Sequence, residues 1–204
     1  MCEGKIDRRI NKTRKVIREA LTELMDEKGF DAVTVRDLTE RADINRSTFY
    51  LHYRDKYDLL EKSEEEILQK IEEIVMYVKS LTPKELQIFY SGSEPFPFIV
   101  KLIECFQENS QFMKVILGSK GDLSFQVKIK EIMERNMLDN AISKFKEENL
   151  LIPVDVFIAY TTSAHLGVIQ HWLNTGMKQS PHDIALILFN MTVKGPINAM
   201  GLKN

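Results

Sequence analysis

The stretch from Thr34 to Leu60, TVRDLTERADINRSTFYLHYRDKYDLL, constrains this chain more than any other. Thr34 stands just before an apolar-periodic segment, and Asp37 follows three residues on. A hydroxyl and a carboxylate are thus placed where a helix starts with orphan backbone N–H groups. Val35 and Leu38 give this helix its buried side, to about Ala42. Asp43-Ile44 makes a tight turn, with Ile44 pointing inward. Asn45 then caps a third helix, Arg46 to about His52, which Phe49 anchors. Asp55 and Asp58 repeat the cap-like spacing before a fourth helix carrying Leu59, Leu60, Ile67 and Ile71. Basic, hydroxyl, amide and aromatic side chains crowd the middle segment. That pattern suits a helix-turn-helix whose second helix enters the major groove of DNA.

A first helix precedes this unit. Ile17, Ala20, Leu21 and Leu24 line one side of it, and Gly29 stops it after Lys28. Phe30 and Val33 close over a small core. The chain has 204 residues and a formal net charge of -2, so its global charge does not announce a nucleic-acid binder. The distribution does: Lys5, Arg8, Arg9, Lys12, Arg14, Lys15 and Arg18 cluster before the motif, and acidic residues gather from Glu61 to Glu73.

The remainder is far too long to be part of a DNA-binding module, and it reads as helix after helix. Thr82-Pro83-Lys84-Glu85 has the order of a cap, a first-turn proline and an acid. Phe98 to Leu117 reads as a helix with a break near Glu108-Asn109. Asp122 caps a helix expected over Phe125 to Lys146. Pro153 opens another, to Gly176. Ser180-Pro181-His182-Asp183 starts the last, which ends around Gly195-Pro196. No segment alternates with a strand period. The expected fold is all-α with about nine helices. Residues 1–55 are expected to form an N-terminal arm and a three-helix DNA-binding domain with a helix-turn-helix. Residues 56–204 are expected to form a helical ligand-sensing and dimerisation domain.

From about Thr13 to Leu60 the chain resembles the TetR family of bacterial transcription regulators. Gly29, Thr34-Val35, Leu38-Thr39, Ala42-Asp43-Ile44-Asn45, Thr48-Phe49-Tyr50, His52-Tyr53, Lys56 and Leu59-Leu60 carry the resemblance. Two positions depart from the family's usual pattern: Thr39 stands where alanine is frequent, and Asp43 where glycine is frequent. Thr39 can bond back to its own helix. Asp43 tolerates an unusual turn conformation better than most residues.

The candidate DNA contacts are Thr34, Arg36, Asn45, Arg46, Ser47, Thr48, Tyr50, His52, Tyr53 and Lys56. Arg46 is the strongest base reader, because its guanidinium fits guanine O6 and N7. Ser47 and Thr48 suit a base edge or a phosphate. Tyr50 and His52 offer polar and apolar contacts, and Arg36 a base or the backbone. Asn45 is more a cap than a base reader, and Thr34 can cap and bind at once. The resemblance implies that Thr34, Tyr53 and Lys56 clamp the phosphate backbone.

It also implies a homodimer on a palindromic operator, paired through the two C-terminal helices. Ile158, Thr162, His165 and Ile169 give one apolar face, and Ile184, Ile187, Leu188 and Met191 another. The alternative is that these faces complete each chain's own core. A small organic effector is expected in the second domain, with Phe106, Met133, Met137, Tyr160, His165 and Trp172 as candidate lining residues. The expected output is repression, relieved when the effector tilts helix 4. The competing reading is a dimeric helical ligand-binding or adaptor protein without DNA affinity.

Four scattered histidines and two separated cysteines argue against a metal or a disulfide framework. No catalytic motif or glycine-rich phosphate loop supports an enzyme, and no cofactor is expected. The absence of a secretory or membrane-spanning apolar run leads to the expectation of a cytoplasmic protein.

Overall fold

The computed structural model describes residues 3–76, 94–118, 121–140 and 151–201. Helix α1 spans Glu3–Lys28, and a 3-10 turn covers Phe30–Ala32. Helices α2 (Val35–Arg41), α3 (Arg46–Tyr50) and α4 (Lys56–Met76) follow. Then come α5 (Pro97–Glu108), α6 (Ser110–Ile116), α7 (Leu123–Asn140), α8 (Val154–Asn174), α9 (Pro181–Val193) and α10 (Gly195–Ala199). Among the described residues there is no strand, so the all-α expectation holds. No described helix is long and apolar enough to cross a membrane.

The chain divides into two compact units: Met1–Ile67 with Gln111–Phe125, and Leu68–Ser110 with Gln126–Asn204. The first unit is built by caps and a short apolar stripe. Ile17, Leu21, Leu24 and Met25 of α1 are buried with Val33, Leu38 and Phe49. Gly29 ends α1 at φ 77, a conformation that glycine adopts without strain. Thr34 and Asp37 form a reciprocal capping box at the start of α2. At its other end the Ile44 N–H donates to Thr39 O at 3.0 Å and the Asp43 N–H to Glu40 O at 3.3 Å. This is a Schellman closure with Asp43 in the left-handed position, at φ 50, where glycine is more common. Thr39, the other departure, is buried and donates its hydroxyl to Arg36 O at 3.0 Å.

In the second unit α9 packs on α5, α8 and α10. Ser180 and Asp183 form a second capping box, with Pro181 in the first turn of α9. The break expected near Glu108-Asn109 is present: Asn109 ends α5 and its amide donates to Cys105 O at 2.8 Å. The helix expected to end around Gly195-Pro196 ends at Val193, but it is not the last, because α10 follows. The start expected at Thr82-Pro83, and the far end of the helix expected to reach Lys146, lie outside the described residues.

The apolar face expected of α8 turns inward within its own unit. Ile158, Thr162 and Ile169 are buried there, as are Ile184 and Leu188 of α9. These residues therefore belong to the chain's own core. A helix of 3.6-residue period leaves the opposite stripe for the outside. On α8 that stripe is Val156, Tyr160, Ser163, Gly167 and His171, all exposed. Ile187 on α9 is exposed as well.

Candidate functional site: a helix-turn-helix and an apolar cavity

Each of α2, α3 and α4 starts on a side-chain cap, and the caps fix the candidate DNA-contacting residues. At α2 the Asp37 Oδ2 accepts from Thr34 N at 2.8 Å, Thr34 Oγ1 at 2.7 Å and Lys28 Nζ at 2.8 Å. The Lys28 ammonium and the Thr34 donors hold this carboxyl well below the usual carboxylate range. At α3 the Asn45 Oδ1 accepts from Ser47 Oγ at 2.6 Å, Thr48 N at 2.8 Å and Thr48 Oγ1 at 2.8 Å. At α4 the Asp55 Oδ1 accepts from the backbone of Tyr57 and Asp58, and Asp58 accepts from Arg54 N at 2.9 Å and Lys62 Nζ at 2.9 Å.

Thr34, Arg36, Asn45, Arg46, Ser47 and Tyr50 are exposed, and Thr48, His52 and Lys56 half-buried. Arg46 makes no hydrogen bond or ion pair among the described residues. Arg36 is paired through Nε to Glu40 at 2.7 Å, one helical turn on. Tyr50 is 57% exposed, with its ring edge-on to the buried Phe49 at 5.5 Å, so its phenol is presented outward. Burial pushes the His52 imidazole below its ordinary range, and nearby Arg14 adds to that shift.

Two of these residues stand differently from expectation. Tyr53 is only 5% exposed, its ring centroid 5.8 Å from that of Phe49, and burial raises its phenol. It is mainly a core residue that holds the end of α3. Lys56, expected to clamp the phosphate backbone, donates to Phe30 O at 3.1 Å and Asp31 O at 2.8 Å. Its ammonium also lies 4.8 Å from the Phe30 ring centre and 5.3 Å from that of Tyr57. It ties the start of α4 to the 3-10 turn, whose carbonyls need a donor.

The second unit contains a cavity of about 120 Å³. Of the six candidate lining residues it takes in Met133, Met137 and His165 and leaves out Phe106, Tyr160 and Trp172. Phe106 is buried elsewhere in the core. Tyr160 is 54% exposed on the outward stripe of α8. Trp172 is 1% exposed and donates its indole N–H to Gln179 O at 3.0 Å, so its polar atom is already used. Residues that sequence reasoning missed include Leu102, Thr161, Leu188 and Thr192. The spacing Thr161, His165, Ile169, four residues at a time, was the available signal for one lining face.

His165 is half-buried and its Nε2 lies 2.7 Å from Thr192 Oγ1. Thr192 Oγ1 donates in turn to Leu188 O at 2.9 Å. The threonine proton is thereby committed, so the hydrogen between the two side chains is carried by His165 Nε2. Burial pushes the imidazole down to about 4, which leaves it neutral at pH 7. Among the described residues, no group of histidine, cysteine and acidic side chains is arranged to hold a metal ion.

Comparison with known proteins covers both units. Residues 17–62 match the profile described as "Bacterial regulatory proteins, tetR family". Residues 93–194 match the profile described as "Transcriptional regulator C-terminal region". A 60-residue segment is 38% identical to YxbF of Bacillus subtilis (strain 168), an uncharacterized HTH-type transcriptional regulator; it covers 29% of this chain and 16% of that protein. The solved structure of a TetR transcriptional regulator from Streptococcus agalactiae 2603V has a TM-score of 0.57 at 24% identity, over 91% of this chain and 96% of that one. That of the transcriptional regulator FadR from Bacillus subtilis, in complex with stearoyl-CoA, has a TM-score of 0.58 at 18% identity, over 89% of this chain and 98% of that one. The structural likenesses are of fold, whereas the two profiles cover the helix-turn-helix and most of the cavity-forming helices. The chain belongs to the TetR family of DNA-binding bacterial transcription regulators, a family of regulators and not of enzymes.

Proposed function

We propose that the chain is a cytoplasmic homodimeric repressor of a roughly palindromic operator, released by a small organic effector. In this reading residues 1–55 bind DNA, and residues 56–204 sense the effector and pair the chains. The observation that carries it is α3. A firmly capped five-residue helix presents Arg46, which has no partner among the described residues, beside exposed Ser47 and Tyr50. Arg46 reads guanine in the major groove. Thr34, Ser47, Thr48 and Arg36 meet phosphate or a base edge, and Asn45 acts through the cap. Lys56 serves the Phe30 and Asp31 carbonyls first and phosphate second. Tyr53 acts mainly by packing.

Pairing is assigned to α8 and α9, through the outward stripe and not the buried one. Gly167 supports this. It lies in the interior of a 21-residue helix, and a Cβ there would meet nothing within 4 Å. Glycine in a helix interior costs about 1 kcal/mol relative to alanine, and among the described residues nothing calls for it. Close approach of a second helix does. Effector release is assigned to the cavity, with α4 as the lever, since Val75 near its C-terminal end lines that cavity. Two half-sites lie about 34–36 Å apart, so a modest tilt spoils simultaneous docking. Effector and operator then antagonise each other reciprocally.

The test is selection of bound DNA from a random duplex pool, with light scattering on the free protein. Enrichment of a palindrome and about twice the chain mass are expected. A folded chain that stays monomeric at micromolar concentration overturns the pairing. A chain that enriches no sequence favours a helical binding protein without DNA affinity. A reporter behind the selected operator gives the sign: lower expression without the protein reverses repression to activation.

A further inference from the structure

The cavity wall narrows the chemistry of what enters it. Its walls come from α5, α7, α8 and α9, with Val75 of α4. Among the described residues, no Lys, Arg, Asp or Glu lines it. Its polar side chains are Asn136, Thr161, His165 and Thr192. His165 Nε2 and Thr192 Oγ1 already bond to each other, as described above. Thr161 is only 3% exposed, and its hydroxyl forms no hydrogen bond to any described residue. Thr161 lines the cavity, so an oxygen on a bound molecule can accept its hydroxyl proton.

We propose that this cavity takes a neutral, single-ring or short branched-chain molecule whose one hydroxyl or carbonyl oxygen meets Thr161, and that it rejects carboxylates, amines and long acyl chains. The regulatory meaning of this site rests on the effector reading above; its binding chemistry does not. Size is the first argument. An engineered cavity of about 150 Å³ lined by Leu, Ile and Phe holds benzene, and about 120 Å³ belongs to the same class. A stearoyl chain is far larger. The half-buried Met133 and Met137 give the wall some adaptability without changing that scale. Charge is the second argument. A carboxylate would leave water without meeting a cation among the described lining residues, since none is Lys or Arg and burial keeps His165 neutral. An ammonium would find no anion among the described lining residues.

The experiment is calorimetric titration of the full chain, without DNA, with benzyl alcohol, toluene, benzoate, benzylamine and stearoyl-CoA at pH 7. Benzyl alcohol is expected to bind at least about a hundredfold more tightly than benzoate or benzylamine. Thr161→Val keeps the shape of the side chain and removes the hydroxyl. It is expected to weaken benzyl alcohol by up to about tenfold and to leave toluene unchanged. Leu102→Trp, a filling substitution, is expected to abolish binding of both. Benzoate or stearoyl-CoA binding as tightly as benzyl alcohol overturns the proposal, and so does no binding by any neutral probe. Equal losses of toluene and benzyl alcohol in Thr161→Val overturn the role of its hydroxyl, whether or not Leu102→Trp folds. Operator titration separates the two readings. Neutral probes that bind without changing operator affinity leave this site standing and remove effector release. Intact operator binding with no probe binding removes this site alone.

Discussion

Lys56→Met is the substitution that best separates holding the DNA-binding unit together from touching DNA. Methionine keeps the length of the apolar stem and deletes the ammonium. Two hydrogen bonds, to Phe30 O at 3.1 Å and Asp31 O at 2.8 Å, are lost, and two ring faces lose their cation. Fully buried, each bond from a charged donor would contribute about 1.5–3 kcal/mol. Here Lys56 is half-buried and Asp31 exposed, so water replaces much of that. Cation–π contacts at such sites add about 0.5–1 kcal/mol. The net loss should be about 1–2 kcal/mol, non-additivity included. For a chain of this length that lowers Tm by about 2–8 °C. Urea titration followed by far-UV circular dichroism checks it, with an unchanged m-value as the sign that stability alone has moved. A midpoint equal to that of the unsubstituted chain would show that the ammonium is not held on those carbonyls in solution. Any loss of operator affinity would then be a phosphate effect alone.

Arg46→Ala should leave the urea midpoint unchanged and weaken the selected operator by an amount equivalent to about 1–3 kcal/mol, with little effect on random DNA. Equal loss on every sequence would make Arg46 a phosphate contact. Asn45→Ala removes the common acceptor of three donors, so stability should fall by about 1 kcal/mol and operator affinity with it; an unchanged midpoint counts against the cap. The pH dependence of His165 has a definite sign. Its folded-state value, about 4, lies below the ordinary value of about 6.5, so the fold favours the neutral ring. Its stabilising effect is complete above about pH 6.5 and is lost as pH falls towards about 4. The unsubstituted chain should therefore lose stability relative to His165→Gln across that window, and parallel urea midpoints at every pH would rule this out.

Local chemistry was legible in the sequence because caps are local. Thr34, Asn45, Asp55 and Ser180 each stand within three residues of the backbone groups they satisfy, so spacing alone locates the helix starts. The turn at Asp43 followed from the same kind of reasoning. What depends on distant partners was not legible. Nothing near Lys56 in sequence shows that the carbonyls of residues 30 and 31 need a donor. Tyr53 reads as amphipathic, and only its packing on Phe49 decides for the core. Helix α8 is apolar on more than one side, so periodicity could not tell the inward stripe of Ile158, Thr162 and Ile169 from the outward one of Val156 and Tyr160. Trp172 and Tyr160 both read as polar-tipped lining candidates. One had its N–H taken by Gln179 O, and the other faces out.

Gly167 has a consequence for how abundance enters the behaviour of this regulator. A single chain carries the flexibility of an exposed mid-helix glycine with no compensating contact among the described residues. In the proposed pair that deficit is offset only when a second copy arrives, so folding and assembly become one linked equilibrium. Dilution then loosens α8, and accumulation tightens it, by mass action alone. Thermal transitions should shift upward as protein concentration rises. Within a cell the number of chains would itself set how many operators are held, before any effector is present.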